Sequence, residues 1–322
     1  MGFFDRLLFL GTSSGVPCKR NVSSILLTLQ SGRCIMIDCG EGTQHQLMKS
    51  SVRFGRLSAI LITHLHGDHC YGLFGLLHTL AMNGRVAPLP IFGPIGLKRM
   101  VDGVFACSGG WFGFDLLFTE LDPSCQHSFD LRLDSAVTAA APDVLAVDAC
   151  PLKHAIPALG YVFTENPRPP RLDVAKARAL GLSGALLGQL KAGLDVVSPE
   201  TGEIVTAASC LLPAPPRRKV AVAQDTCDSS AMAEAAMDVH YLVHECTYEA
   251  ALRDKAIEHG HSTSEMAAEF AKTVRAKNLL LTHFSPRYED TGVAGLVQEA
   301  KAVLGHGVAV VAAEDFLEVK ID

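Results

Sequence analysis

Short, nearly continuous apolar runs recur along this chain, separated by stretches with a helical hydrophobic period. The runs are LLFL at 7–10, ILLTL at 25–29, CIMID at 34–38, AILIT at 59–63, VAVA at 220–223, YLV at 241–243, NLLLT at 278–282 and VAVVAA at 308–313. A strand with one wet face alternates apolar and polar residues, so unbroken runs of this length predict strands buried on both faces, in sheets that helices cover. Helices are predicted at about 43–50, 70–82, 94–106, 228–237, 247–259, 263–276 and 292–304, the second carrying Leu73, Leu76, Leu77 and Leu80 at helical spacing. Ser262 followed by Glu265 reads as a capping box that starts one helix near residue 263.

One segment breaks the pattern. From about 165 to 218 the chain opens with ENPRPPRLDVAKARAL, runs through Gly and small residues, and closes with LLPAPPRRK. Its proline boundaries predict an insertion projecting from the main body. The remainder, within 322 residues, suits one sizeable α/β domain.

Composition narrows the class. With 48% hydrophobic residues the chain can bury a large core, yet charge, Gly or Pro interrupts every apolar run within about ten residues, so neither a membrane span nor a signal peptide is expected. The ten cysteines include no CxxC pair and no dense spacing, which predicts reduced thiols in a cytoplasmic protein. A net charge of −6 argues against a protein that coats nucleic acid nonspecifically, while leaving room for a local basic patch.

Candidate chemistry collects at strand ends: AILIT runs into His64, VAVAQ into Asp225, YLVH into Glu245 and NLLLT into His283. The richest end is Thr63-His64-Leu65-His66-Gly67-Asp68-His69. In an extended segment alternate side chains point the same way, so His64 and His66 can grip one ion, while the turn at Gly67 redirects Asp68 and His69 toward a second ion nearby. A lone histidine is ordinarily a satisfied core or surface residue; three with an aspartate inside six positions after a buried strand are not.

HxHxDH in this setting resembles the signature of the metallo-β-lactamase superfamily, which implies an αββα sandwich with its site along one edge. The resemblance implies further metal ligands: His154 in LKHAIPALGYVF completing the first site, Asp225 in AVAQDT bridging both ions, and His283 in LLTHFSPRY closing the second. The chain departs from the usual pattern at Gln224, where the family has Gly before the bridging aspartate. Within the superfamily, FLGTSSGVP with Lys19-Arg20-Asn21, MIDCGEGTQHQL, HGDHCYGLFGLL, and the pair HEC-TY (244–248) and GHSTSEMA (260–267) resemble the RNase Z enzymes over about residues 7–319.

That resemblance implies two Zn²⁺ per subunit, with other divalent cations compatible, and removal of the 3′ trailer from precursor tRNA. Asp68 would serve as general base, and Glu245 would hold His261 as the acid that protonates the leaving 3′ oxygen. The 165–218 segment would be the arm that grips tRNA, with Arg168, Arg171, Lys176, Arg178 and Lys191 as phosphate contacts, Arg217, Arg218 and Lys219 at its return, and Arg287 as a further candidate beside the site. A homodimer is implied in the same way. The rival readings are another hydrolase of this fold (a phosphodiesterase, lactonase or thioesterase) and a non-catalytic RNA-binding subunit.

Overall fold

Each of the eight apolar runs supplies residues to a strand of the computed structural model, which describes residues 3–110, 112–133, 143–168 and 170–322. The first sheet contains β1 (Phe4–Gly11), β2 (Ser24–Leu29), β3 (Cys34–Ile37), β4 (Leu57–Leu61), β5 (Leu89–Pro94) and β6 (Leu116–Leu121) side by side in that order. Pairing is antiparallel from β1 to β3 and parallel from β3 to β6. The second sheet begins with β7 (His127–Arg132), β8 (Val144–Leu152) and β9 (Ala158–Thr164). After the inserted segment, whose own hairpin is β10 (Val196–Val197) and β11 (Ile204–Val205), it is completed by β12 (Lys219–Ala223), β13 (Tyr241–Glu245), β14 (Asn278–Thr282) and β15 (Ala309–Ala312). Strands β12 to β15 are parallel, and β16 (Glu318–Lys320) returns to the free edge of β1.

Period-two alternation explains why these strands are apolar throughout. Leu7 and Phe9 meet Tyr161, Phe163, Val220 and Val222 between the sheets. Their neighbours Leu8 and Leu10 face the other way, onto α1 (Thr43–Lys49), α2 (Gly67–Cys70), α3 (Gly72–Met82) and α4 (Leu97–Ser108), through Leu47, Cys70, Leu73 and Leu97. On the second sheet Ala221, Ala223, Leu242 and Leu279 form the outer core. With each such side chain contributing roughly 1.5–3 kcal/mol on burial, three apolar interfaces hold the four layers, helix, sheet, sheet and helix, together.

The 166–217 unit folds around its own small cluster. Helices α5 (Val174–Ala179) and α6 (Ala185–Lys191) bury Ala177 and Leu190 with Leu182, Val196, Val205 and Cys210. Asp173 caps α5 by accepting from the Lys176 amide at 2.9 Å. Arg171, Lys176, Arg178 and Lys191 are exposed. The body's last helices, α7 (Arg253–Glu258), α8 (Ser264–Thr273) and α9 (Ala294–Leu304), follow the 166–217 unit in the chain.

Several expectations are corrected. The predicted helix at 228–237 is a 3₁₀ turn at Ser230–Met232 followed by irregular turns. Lys219 Nζ donates to the carbonyls of Ala235 and Met237 at 2.8 and 3.1 Å, which keeps these carbonyls in a loop that wraps the lysine. The helix predicted from 247 is delayed to a 3₁₀ turn at Ala250–Leu252 and α7, because Tyr248 first bridges to Thr263. Thr263, not Ser262, caps α8, accepting from the Met266 amide at 3.3 Å; the Ser262 hydroxyl donates instead to Thr226 O at 2.6 Å. Strands β5 to β9 and β16 escape a search for continuous runs: β5 carries Pro90 and Pro94, β9 carries Gly160, and β7 and β8 alternate in burial.

Of the basic residues at the return of the inserted segment, Arg218 and Lys219 make internal bonds. Arg218 is buried, and its guanidinium pairs with both oxygens of the fully buried Glu165 while donating to the carbonyls of Phe4 and Ile321. Removing one partner of such a pair strands the other charge in the core. Arg218→Ala is therefore expected to lower the free energy of unfolding by about 3–5 kcal/mol, measured by urea denaturation.

Candidate metal centre

The parallel strands deliver polar residues to one rim. His64 and His66 follow the carboxyl end of β4, Asp68 and His69 lie in α2, His154 follows β8, Asp225 follows β12, Glu245 ends β13, and His283 follows β14. Loop closeness completes the assembly. A Cβ on Gly72 would fall 1.9 Å from Gly40 O, so the turn after β3 can meet the α2–α3 junction only with hydrogen at that position. His283 and Asp38 both hold left-handed backbone, at φ 59° and 60°, strain of about 1–3 kcal/mol per residue concentrated at this rim.

Seven of the side chains named from sequence form two groups that share one carboxylate. In the first, His66 Nδ1 lies 3.1 Å from both His64 Nε2 and His154 Nε2, and Asp225 Oδ2 lies 3.6 and 3.7 Å from those two Nε2 atoms. In the second, His69 Nε2 and His283 Nε2 are 3.2 Å apart, each 3.5 Å from Asp68 Oδ2 and 3.1 Å from Asp225 Oδ1. A tetrahedral ion with bonds near 2.1 Å sets its ligand atoms about 3.4 Å apart, so both groups have the right size. Asp225 Oδ1 is also buried with no hydrogen-bond partner among the described residues. A buried anion without a donor needs a cation, and the donor set fits a divalent metal.

Outer partners decide which nitrogen faces inward. His69 Nδ1 donates to Asp38 Oδ2 at 2.7 Å, and His154 Nδ1 donates to Gly260 O at 2.7 Å, leaving both Nε2 atoms as acceptors. His283 Nδ1 lies 3.0 Å from the Thr247 hydroxyl. Gly260 sits at φ 73°, and a Cβ there would come within 2.9 Å of His154 Nδ1. Asp38 is itself held by the Thr63 amide at 2.8 Å and by the Thr63 hydroxyl. Gln224, the departure before Asp225, is accommodated by donating to Ser23 Oγ at 2.9 Å.

Burial, and then neighbouring imidazoles, push His64 well below the usual histidine range, and His154 is lowered first by burial. Burial opposes ionisation of Asp225, but His283, His69 and His64 hold its pKa well below the carboxylate range. Neutral imidazoles beside ionised carboxylates are the metal-binding forms of both. His69 moves the other way: burial opposes charge, yet Asp225 and Asp38 raise its pKa well above normal.

A third set lies alongside. His261 Nδ1 is 2.9 Å from Glu245 Oε1, and Glu245 is fully buried, accepting from the Thr226 amide at 2.8 Å and from the Thr247 hydroxyl at 2.6 Å. Those bonds occupy the carboxylate and immobilise it, so it suits orienting an imidazole better than ligating an ion. The pairing raises His261 to about 9 against the effect of burial. The His261 ring lies 5.1 Å from that of His154 and 5.7 Å from that of His283, centroid to centroid. Arg287 is exposed, with its guanidinium 4.8 Å from the centre of the Tyr248 ring.

The sequence reading missed Asp38, Thr63, Thr247 and Gly15, whose amide donates to Asp68 Oδ2 at 2.7 Å. Asp38 was within reach: CIMID ends in it, as the other strands end in theirs. The Lys19-Arg20-Asn21 motif proves partly internal, since Arg20 donates to Thr12 Oγ1 at 2.9 Å and to Ala313 O at 2.8 Å, and Asn21 donates to Glu41 O at 2.9 Å.

Residues 6–94 match the protein family described as anti-Pycsar protein Apyc1. The whole chain is similar to ribonuclease BN of Cronobacter sakazakii, 39% identical over 98% of this chain and 99% of that one. It is similar also to ribonuclease Z of a Cyanothece strain, 38% identical over 92% and 91%. Among solved structures, human tRNase Z, short form, superposes with a TM-score of 0.67 at 30% identity, covering 98% of this chain and 99% of that one.

Asp38→Asn replaces the acceptor beside His69 with an amide that can donate to Nδ1, driving the imidazole proton onto Nε2. Metal affinity is expected to fall by about 10–100-fold, measured by chelator competition, with the circular dichroism spectrum unchanged.

Proposed function

Since the chain belongs to the ribonuclease Z/BN family of metallo-β-lactamase-fold proteins, we propose that it is a zinc-dependent endoribonuclease that removes the 3′ trailer of precursor tRNA. The observation that carries the proposal is the shared Asp225: one carboxylate with an oxygen in each of two histidine groups, beside a histidine that a buried glutamate orients. His64, His66 and His154 with Asp225 Oδ2 would hold one zinc; Asp68, His69 and His283 with Asp225 Oδ1 would hold the other. When bound, such a pair supplies positive charge to the scissile phosphate and lowers the pKa of water to the range where it is a competent nucleophile.

The remaining chemistry belongs to side chains. Asp68 is half-buried, with Oδ2 fixed by the Gly15 amide, and would orient the attacking water and take its proton. His261 is partly open to solvent, its side chain 15% exposed, and Glu245 favours its charged form. It would therefore carry a proton at neutral pH and release it to the leaving 3′ oxygen. The products are a tRNA ending in a 3′ hydroxyl and a trailer with a 5′ phosphate.

The 166–217 unit has its own apolar cluster and exposes Arg171, Lys176, Arg178 and Lys191 in a chain of net charge −6. That local excess of cations supports a phosphate-gripping role. A cytoplasmic setting suits the ten cysteines, all free, and no helix among the described residues is long and apolar enough to cross a membrane. The proposed assembly is a homodimer, on the family resemblance alone.

His261→Ala is expected to lower turnover on precursor tRNA by about 10²–10⁴-fold with zinc content unchanged, whereas Asp225→Ala loses zinc as well. Full activity in His261→Ala would remove it from the mechanism. Charge reversal at Arg178 and Lys191 should raise KM for precursor tRNA and flatten its salt dependence, while hydrolysis of bis(p-nitrophenyl) phosphate stays at the wild-type rate. Preference for a thioester or lactone over both phosphodiesters would point to a small-molecule hydrolase instead.

A further inference from the structure

One cavity formed by the described residues lies away from the metal centre. It has a volume of about 710 Å³ and is lined by four arginines, Arg33, Arg56, Arg85 and Arg132, with no acidic residue among its lining side chains. Leu57 at the amino end of β4, Pro90 near the start of β5 and Leu117 near the start of β6 form part of its wall. The metal centre begins at His64, beyond the other end of β4, so about 20 Å of strand separates the two.

Three of the four guanidiniums have no carboxylate partner among the described residues. Arg33 pairs with Asp143 at 3.4 Å. Arg85 is half-buried and gives its N–H groups to main-chain carbonyls, of Ala87 and Leu57 at 2.8 Å and of Pro88 at 3.0 Å, so it keeps its charge without a counter-ion among the described residues. Arg56 and Arg132 are exposed and have no side-chain hydrogen bond or ion pair among the described residues. A guanidinium cannot shed its proton at physiological pH, so four in one cavity repel one another unless an anion enters. Their planar forks match the oxygens of a phosphate.

We propose that this cavity binds a small organic phosphate with a flat apolar part, of the size of a mononucleotide. The volume is far more than an inorganic oxyanion needs and falls within the roughly 300–1,000 Å³ of small-molecule sites. Phosphate oxygens take the free forks of Arg56 and Arg132, and Arg85 adds fixed positive charge behind them. The half-buried Phe54 and the exposed Leu117 offer apolar surface for the base. The site is separate from the machinery for RNA cleavage.

The test is calorimetric titration of the zinc-loaded, full-length protein with AMP and, separately, with inorganic phosphate, comparing wild type with the double variant Arg56→Glu, Arg132→Glu. The proposal expects AMP to bind the wild type, to bind more tightly than phosphate, and to lose about tenfold or more in affinity in the variant. The variant should process precursor tRNA at the wild-type rate without nucleotide, which shows that it is folded and that its metal centre is intact. Equal AMP affinity in wild type and variant would place the nucleotide at the metal centre and overturn the proposal. Absence of AMP binding at millimolar concentration would do the same. Phosphate binding as tightly as AMP would overturn the assignment of an organic ligand.

Discussion

Asp225 is the group on which the centre turns. Its carboxylate is buried, and one oxygen faces His64 and His154 while the other faces His69 and His283. An ionised carboxylate in so dry a place is sustainable only beside compensating positive charge. Asp38 and the carbonyl of Gly260 take the Nδ1 protons of His69 and His154, which frees their Nε2 lone pairs for a metal ion beside the carboxylate. Divalent cations satisfy both requirements together, because they supply charge to the carboxylate and accept the imidazole lone pairs.

The layered architecture makes that convergence available. Parallel strands flanked by helices end at one rim, and strands packed on both faces hold those ends rigidly. Rigidity matters because the rim contains groups that would otherwise move apart: two residues in left-handed backbone, loops in contact closer than any Cβ allows, and several like-charged carboxylates. The three apolar interfaces offset that local cost, which is how a strained, polar assembly persists in a marginally stable protein.

Charge is distributed with similar economy. A net charge of −6 conceals an exposed basic set on the 166–217 unit and a cavity of arginines at the far ends of the first sheet's strands. Other cations are internal: Arg218 neutralises Glu165 in the core, and Lys219 organises a loop by binding its carbonyls. A tally of basic residues near the insertion cannot separate these uses, because only burial and geometry distinguish a structural guanidinium from one free to meet phosphate.

Much of the fold and most of the centre are legible in the order of residues. Runs apolar at every position imply strands covered on both faces, and His64 to His69 fall within six positions, so local geometry alone suffices to see a ligand cluster. Strands that alternate, or that carry proline and glycine, leave no such trace, which is why β5 to β9 appear only in the folded chain. The choice of Thr263 over Ser262 as a cap depends on which hydroxyl Thr226 O already occupies. Likewise Asp38 joins His69 across 31 positions and Gly260 joins His154 across 106. Local propensity and spacing determine which segments become strands and where ligands cluster; contacts between distant segments alone decide which polar atoms meet, because burial and partnership are properties of the packed chain.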